Sequence, residues 1–307
     1  MTTFLLPARS RFGGQRLSPI VAKALGRADR LDVEAGERAH LLRHFELLPR
    51  GWPVAALTRA FDANDAASSG WLRADPAYVR PDMTGARLLA SGDALQLTAE
   101  EAEAFVSALR PTFGDAGMPI DAPSPARWYL RLPREAKVSA MASPADALGG
   151  DLFDQLPEGP EGRRWRALLS EAQVILHQHP LNASRVAAGK LPVNSLWFWG
   201  PGVSPDHVTT PHAWVWSSEI TMHALAKAAG REAQELTDGL EYGGLYDLRA
   251  MRDLKEVCEY FLERAIDNVQ QRIFPSFVID CEDGTTWTIT RGQRWRFWRK
   301  PMDTFDA

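Results

Sequence analysis

The chain has 307 residues, of which 45% are hydrophobic and 24% charged, and a formal net charge of −4. That is the composition of one large globular domain or two ordinary ones, and it excludes intrinsic disorder, collagen-like repeats and a disulfide scaffold. The negative balance excludes a globally basic nucleic-acid binder, and no run of about 18 apolar residues is present to cross a membrane. At the amino terminus Pro7 interrupts the apolar run before a signal-peptide core can form, which points to a cytoplasmic protein. Residues 19–28 and 36–47 carry helical spacing, the second with Leu41, Leu42, Phe45 and Leu48 on one side. Short strands are expected over 86–90 and 94–97, broken by Ser91-Gly92-Asp93. Thr98 then offers an N-cap with Glu101 three positions on, a capping box for a helix through Leu109. Alternation over 126–132 predicts a half-buried strand.

Pro and Gly concentrate over 143–162, which predicts a linker or surface loop between an α+β region, 1–142, and an α/β region, 163–307. An amphipathic helix follows over 162–178, with Trp165, Leu168, Leu169, Ala172, Ile175 and Leu176 inward and Pro180 at its end. Strands are expected at 193–199, leading into Gly200-Pro201-Gly202, and at 212–216. Ser217-Ser218 then caps a helix over 219–229 that ends at Gly230. One long helix is expected over 246–273, then a hairpin of 277–281 and 285–290 around Asp283-Gly284. The predicted fold is therefore α/β or α+β, a mixed sheet flanked by helices. Seven of the eleven tryptophans lie beyond residue 190, and Trp197/Trp199 and Trp214/Trp216 are each two apart, so the second half should contain a tryptophan-rich sheet.

Several residue groups could carry chemistry. His177 and His179 could converge on a metal if the chain is extended there, and Asp206, His207 and His212 form a second weak cluster; capping or solvated roles are the plainer reading. Gly200-Pro201-Gly202 at a strand end could let the backbone approach an anion or could simply be a turn. Cys258 and Cys281 are too far apart for a zinc knuckle, and Cys258 reads as a small buried hydrophobe rather than a catalytic thiol. Both chain ends are cationic, with Arg9, Arg11, Arg16, Lys23, Arg27 and Arg30 at one and Arg291, Arg294, Arg296, Arg299 and Lys300 at the other. The interleaved aromatic and basic residues of 291–300 would suit a polyanion. A terminal strand with Trp295 and Phe297 turned inward is favoured over that use.

The segment His179-Pro180-Leu181-Asn182-x-x-Arg185, followed by Gly189-x-Leu191-Pro192-Val193-Asn194-Ser195-Leu196-Trp197-Phe198-Trp199-Gly200-x-Gly202, resembles a motif of archaeal-type cofactor-independent phosphoglycerate mutases. Over most of its length the chain resembles the proteobacterial RpfE-type regulatory proteins, through Leu5-Leu6-Pro7-Ala8-Arg9-x-Arg11-Phe12-Gly13-Gly14, Arg127-Trp128-Tyr129-Leu130-Arg131-Leu132 and Trp295-Arg296-Phe297-Trp298-Arg299. Likeness to the mutases themselves covers about residues 178–236. That resemblance implies a Ser or Thr nucleophile and two divalent metals held by Asp and His. Here the amino terminus reads Phe4-Leu5-Leu6-Pro7-Ala8-Arg9, cationic rather than acidic, and no histidine follows His223, so those ligands cannot be placed. The resemblance therefore implies a regulatory or ligand-binding protein, with no cofactor expected, that takes a phosphorylated small molecule. Its ligand would lie at Asn182, Arg185, Asn194, Gly200 and Gly202, with Arg9 and Arg11 as anion donors. The alternatives are a metal-dependent mutase or phosphatase-like enzyme, and a protein- or nucleic-acid-binding module built on the C-terminal Arg/Trp segment.

Overall fold

A computed structural model describes residues 1–82, 85–139, 141–150, 157–237 and 239–305. The chain forms two compact units, Met1–Arg50 with Asp206–Ala307, and Gly51–Pro205. The first unit opens with β1 (Thr2–Leu6), α1 (Pro19–Arg27), β2 (Asp29–Asp32), α2 (Glu37–Leu42) and β3 (Glu46–Leu48). The second unit comprises α3 (Val54–Asp62), β4 (Gly70–Asp82), β5 (Gly85–Ser91), α4 (Ala99–Asp115), β6 (Ile120–Ser124), β7 (Arg127–Leu132), α5 (Pro144–Ala147), α6 (Gly159–His177), α7 (Leu181–Ala187) and β8 (Ser195–Val203). The chain then returns to the first unit with β9 (His207–Thr209), β10 (Trp214–Trp216), α8 (Ile220–Ala228), β11 (Ala233–Gln234) and β12 (Gly244–Asp247). Helix α9 (Leu254–Glu256) continues through a π-helical segment, Val257–Leu262, into α10 (Glu263–Gln270), and β13 (Ser276–Cys281) and β14 (Thr285–Thr290) complete the fold.

These units divide the chain elsewhere than at 143–162. That segment lies inside the second unit, where α5 and the start of α6 occupy part of it and residues 151–156 lie outside the described residues. Long-range strand pairing sets the division: β8, from the later half of the sequence, pairs along β4 from the earlier half, and β12 and β13 flank β1.

The first unit holds a seven-stranded mixed sheet of order β11-β10-β12-β1-β13-β14-β2. The first five of these strands are mutually parallel and the last two pairings are antiparallel. All five residues of β1 are buried, as a central parallel strand covered on both faces requires. Phe4, Leu6, Tyr246, Phe277 and Ile279 face one core with Val21 and Leu25 of α1 and with Leu254, Phe261 and Leu262. Phe4 stacks on Tyr246 with ring centres 5.3 Å apart, and Trp216 lies flat on the same tyrosine at 4.4 Å. Successive side chains alternate across a sheet, so Asp247, beside Tyr246, and Asp280, beside Ile279, point to the opposite face.

The second unit is an antiparallel sheet in which β4 pairs with β5, β7 and β8, and β6 pairs with β7. One core joins its Leu72, Trp128, Leu130 and Phe198 to Phe105 and Leu109 of α4 and to Leu169 and Leu176 of α6. A smaller one sets Trp71 and Tyr129 against Ala55 and Ala56 of α3. The Thr98–Glu101 capping box forms as expected, but α4 runs on to Asp115, past Pro111.

Tertiary pairing overrides local pattern in three places. Residues 246–273 do not form one helix: Tyr246 lies in β12, and the helix begins at Leu254, where the Asp253 side chain accepts from the N–H groups of Lys255 and Glu256. Leu248 and Met251 continue the helical spacing upstream, so periodicity alone does not mark the break. Residues 46–48 leave the helix expected over 36–47 to pair with β9, and Gly92–Leu95 form a 3-10 turn where a strand over 94–97 was expected. Nor do residues 291–300 form a strand. Arg291–Trp295 form a 3-10 turn, and Trp295 and Phe297 are 66% and 78% exposed rather than inward, while Arg296 pairs with Asp29.

Candidate functional site

In open α/β sheets, ligands sit beyond the carboxyl ends of the parallel strands, because loops converge there and helices begin there. In the first unit that edge carries Ser217 after β10, Asp247 on β12, Arg9 after β1 and Asp280 on β13. Two buried ion-pair networks occupy it. Asp247 is chelated by Arg249, with Nε to Oδ1 at 2.7 Å and Nη2 to Oδ2 at 2.8 Å, and accepts a third bond from the Ser217 hydroxyl at 2.8 Å. Asp280 is chelated by Arg43, with Nε to Oδ2 at 2.9 Å and Nη2 to Oδ1 at 2.7 Å, and bonded by His44 Nε2 at 2.8 Å. His44 Nδ1 in turn meets Nε2 of His212 at 3.2 Å, and His40 Nε2 donates to the Asp280 carbonyl at 3.0 Å.

The electrostatics follow from burial and partners. Burial alone would raise both carboxyls, but the guanidinium of Arg249 holds Asp247 below the usual range, and hydrogen bonds from His44 and Arg43 hold Asp280 down to about 2. His40 and His212 are pushed down to about 3, chiefly by burial, so both are neutral imidazoles at neutral pH. Ser217 donates to a carboxylate that is already neutralised and weakly basic. Asp247 is therefore a poor base for activating this hydroxyl as a nucleophile.

Sequence reasoning singled out His212 at this edge but not its partners. Glu37, His40 and His44 recur at helical spacing from the start of α2, and Glu37 reaches Arg249 at 3.4 Å. That polar stripe was the available signal, together with Asp247 and Asp280 closing the apolar runs Gly-Leu-Tyr-Asp and Phe-Val-Ile-Asp. Partner identity could not be read, since Arg43 and Asp280 are 237 residues apart.

The residues expected to hold a ligand are divided between the two units. Arg9 belongs to the first unit, where Nε pairs with Asp283 at 2.7 Å and Nη1 donates to the Phe305 carbonyl, while Arg11 is exposed on the turn after β1. Asn182, Arg185 and Asn194 belong to the second unit and bond its backbone. The Asn182 amide donates to the carbonyls of Leu176 and Val193 and accepts from Val193 N–H, and Asn194 exchanges both of its bonds with Val79. Arg185 is 1% exposed and bonds Glu101 and the Leu95 and Leu191 carbonyls. His177 is exposed, whereas His179 packs on Phe105 with centres 4.6 Å apart, and Asp206 and His207 are exposed while His212 is buried against His44. Neither histidine cluster converges. Cys258 and Cys281 are buried and burial raises both thiols, the mark of unreactive cysteines.

Gly200 and Gly202 serve close packing. Gly200 has φ +63, and a Cβ there would lie 3.1 Å from Val54 Cβ; at Gly202 it would lie 2.5 Å from Pro53 Cβ. The strand end thus passes against the start of α3 at a distance only glycine allows. Gly202→Ala should destabilise the protein by about 1–3 kcal/mol through overpacking, read as a lower urea midpoint.

The donor set does not suit the metal pair that the mutase resemblance implies. Both strand-end carboxylates are neutralised by chelating guanidiniums, the turn that follows β1 opens with Arg9 and not with a carboxylate, and His44 and His212 direct nitrogens at each other. Among the described residues no group of three or more His, Cys, Asp or Glu is arranged to hold a metal. No phosphoryl-transfer step is derived through such ions.

No family model matches the chain. A segment of it is similar to 2,3-bisphosphoglycerate-independent phosphoglycerate mutases: 41% identical over 66 residues to that of Methanosarcina acetivorans and 40% over 62 residues to that of Methanosarcina mazei. These segments are 22% and 20% of this chain and only 17% and 16% of those proteins. A probable enzyme of the same kind from Geobacter sulfurreducens is 37% identical over 62 residues. Among solved structures, the cofactor-independent phosphoglycerate mutase of Thermoplasma acidophilum aligns over 95% of this chain and 90% of its own, with 13% identity and a TM-score of 0.42. The PH0037 protein of Pyrococcus horikoshii aligns over 98% and 90%, with 11% identity and a TM-score of 0.48.

Proposed function

We propose that the protein is an RpfE-type regulatory relative of the phosphoglycerate mutases that binds a phosphorylated small molecule and does not transfer its phosphoryl group. One observation carries this reading: each carboxylate at the ends of the parallel strands, Asp247 and Asp280, is closed by a chelating guanidinium. Such a pair is electrically satisfied, so drawing the carboxylate away to a divalent cation would take from Arg249 or Arg43 its chelating partner and set two cations beside each other. The local likeness to mutases supports a phosphorylated ligand, since the shared segment belongs to proteins named for such a substrate.

The purified full chain, assayed with added manganese for mutase and phosphatase turnover, should show none above background. Turnover abolished by Asp280→Asn would overturn the reading. Phosphorylated three-carbon acids and nucleotides should be screened by thermal shift, and at least one should raise the melting temperature by a few degrees. Absence of any such shift would remove the ligand-binding claim.

A further inference from the structure

The two cationic ends of the sequence meet in the first unit, around a cleft of ≈ 300 Å³. Lys23 and Arg27 reach it from α1, and Arg291 and Arg294 from the 3-10 turn that follows β14. Part of its wall is apolar, from Ile266 and Ile289. The arms are tied together through the backbone: Arg27 Nη1 donates to the Arg294 carbonyl at 2.8 Å, and Arg296 Nη1 to the Arg27 carbonyl at 2.9 Å.

None of the four lining cations forms an ion pair among the described residues. The nearby carboxylate of Asp29 is already taken by Arg296 and Gln293. Nε of Arg27 and Nε of Arg291 are buried without a hydrogen-bond partner. A buried donor left unpaired is costly, and four like charges around one small cleft repel one another. Burial and the neighbouring guanidiniums of Arg272 and Arg294 push Arg291 below the usual arginine range. An anion in the cleft would relieve both costs. Phosphate suits it because guanidinium forks and an ammonium match its oxygens.

We propose that this cleft binds a small organic phosphate, its phosphate held by Lys23, Arg27, Arg291 and Arg294 and its apolar part against Ile266 and Ile289. Its volume is at the lower end for a small-molecule site and encloses no polymer. This assignment rests on the reading of the protein as a phosphate-ligand binder and adds the place of binding.

Titration calorimetry of the full chain with inorganic pyrophosphate and with adenosine monophosphate should show one saturable site for at least one of them. The double variant Lys23→Gln/Arg294→Gln should bind it at least about tenfold more weakly, two charge-assisted contacts being lost. Neither side chain makes a hydrogen bond that holds the fold, so the unliganded melting temperature should stay unchanged. Equal affinity in wild type and double variant would overturn the location while leaving the ligand-binding reading intact. Binding of neither probe, with salt-sensitive capture of single-stranded nucleic acid, would overturn the small-molecule assignment altogether.

Discussion

Arg185→Ala should lower the stability of the protein by about 3–5 kcal/mol, a loss set by what the guanidinium leaves behind. Arg185 Nη1 lies 2.6 Å from Glu101, Nη2 2.5 Å from the Leu95 carbonyl and Nε 3.0 Å from the Leu191 carbonyl. Alanine strands one carboxylate and two carbonyls and opens a cavity the size of the side chain. Glu101 also accepts from Thr98 N–H in the capping box of α4, so its displacement weakens that helix start too. Urea denaturation should show the midpoint falling with the slope unchanged. The local resemblance implies a ligand contact for this residue, and a stable Arg185→Ala protein that had lost phosphate binding would favour that role over the structural one.

Stability should fall as pH is lowered from about 6.5 toward 4, through His40 and His212. In the unfolded chain each imidazole takes up a proton near pH 6.5. In the folded protein burial holds both down to about 3. Between those values the unfolded state binds more protons, so acidification favours unfolding, by up to about 5 kcal/mol for each group. Asp280 acts in a lower window. Its folded value of about 2 contributes stability above roughly pH 4 that is lost as pH falls toward 2. Urea midpoints between about pH 7 and pH 4.5 should decline in wild type, and His40→Gln and His212→Gln should each flatten the decline whatever their effect at neutral pH. A slope unchanged in both variants would show that these imidazoles take up protons as readily in the folded state as in the unfolded chain.

Much of the fold was legible in the sequence because short-range patterns suffice for amphipathic elements. The capping box at Thr98, the inward stripe from Trp165 to Leu176 and the hairpin at Gly284 each rest on residues a few positions apart. The strands β1, β4 and β12 were not anticipated, since their assignment depends on pairing with residues far along the chain. The same reason hid the strand-end networks. His212 looked like one member of a weak cluster with Asp206 and His207, and its real neighbour, His44, lies 168 residues away.

The sequence by itself determined the class of fold, the local likeness to phosphoglycerate mutases and the presence of two basic ends, because composition, periodicity and contiguous motifs do not depend on how the chain closes. Only the tertiary structure decided what the charged residues do. It set Asn182, Arg185, Gly200 and Gly202 in close contacts within the second unit and closed Asp247 and Asp280 with guanidiniums. It also brought Lys23 and Arg27 to the same cleft as Arg291 and Arg294. The physical reason is that a charge acts through its neighbours within a few ångströms and through its desolvation, and both are set when distant segments pack.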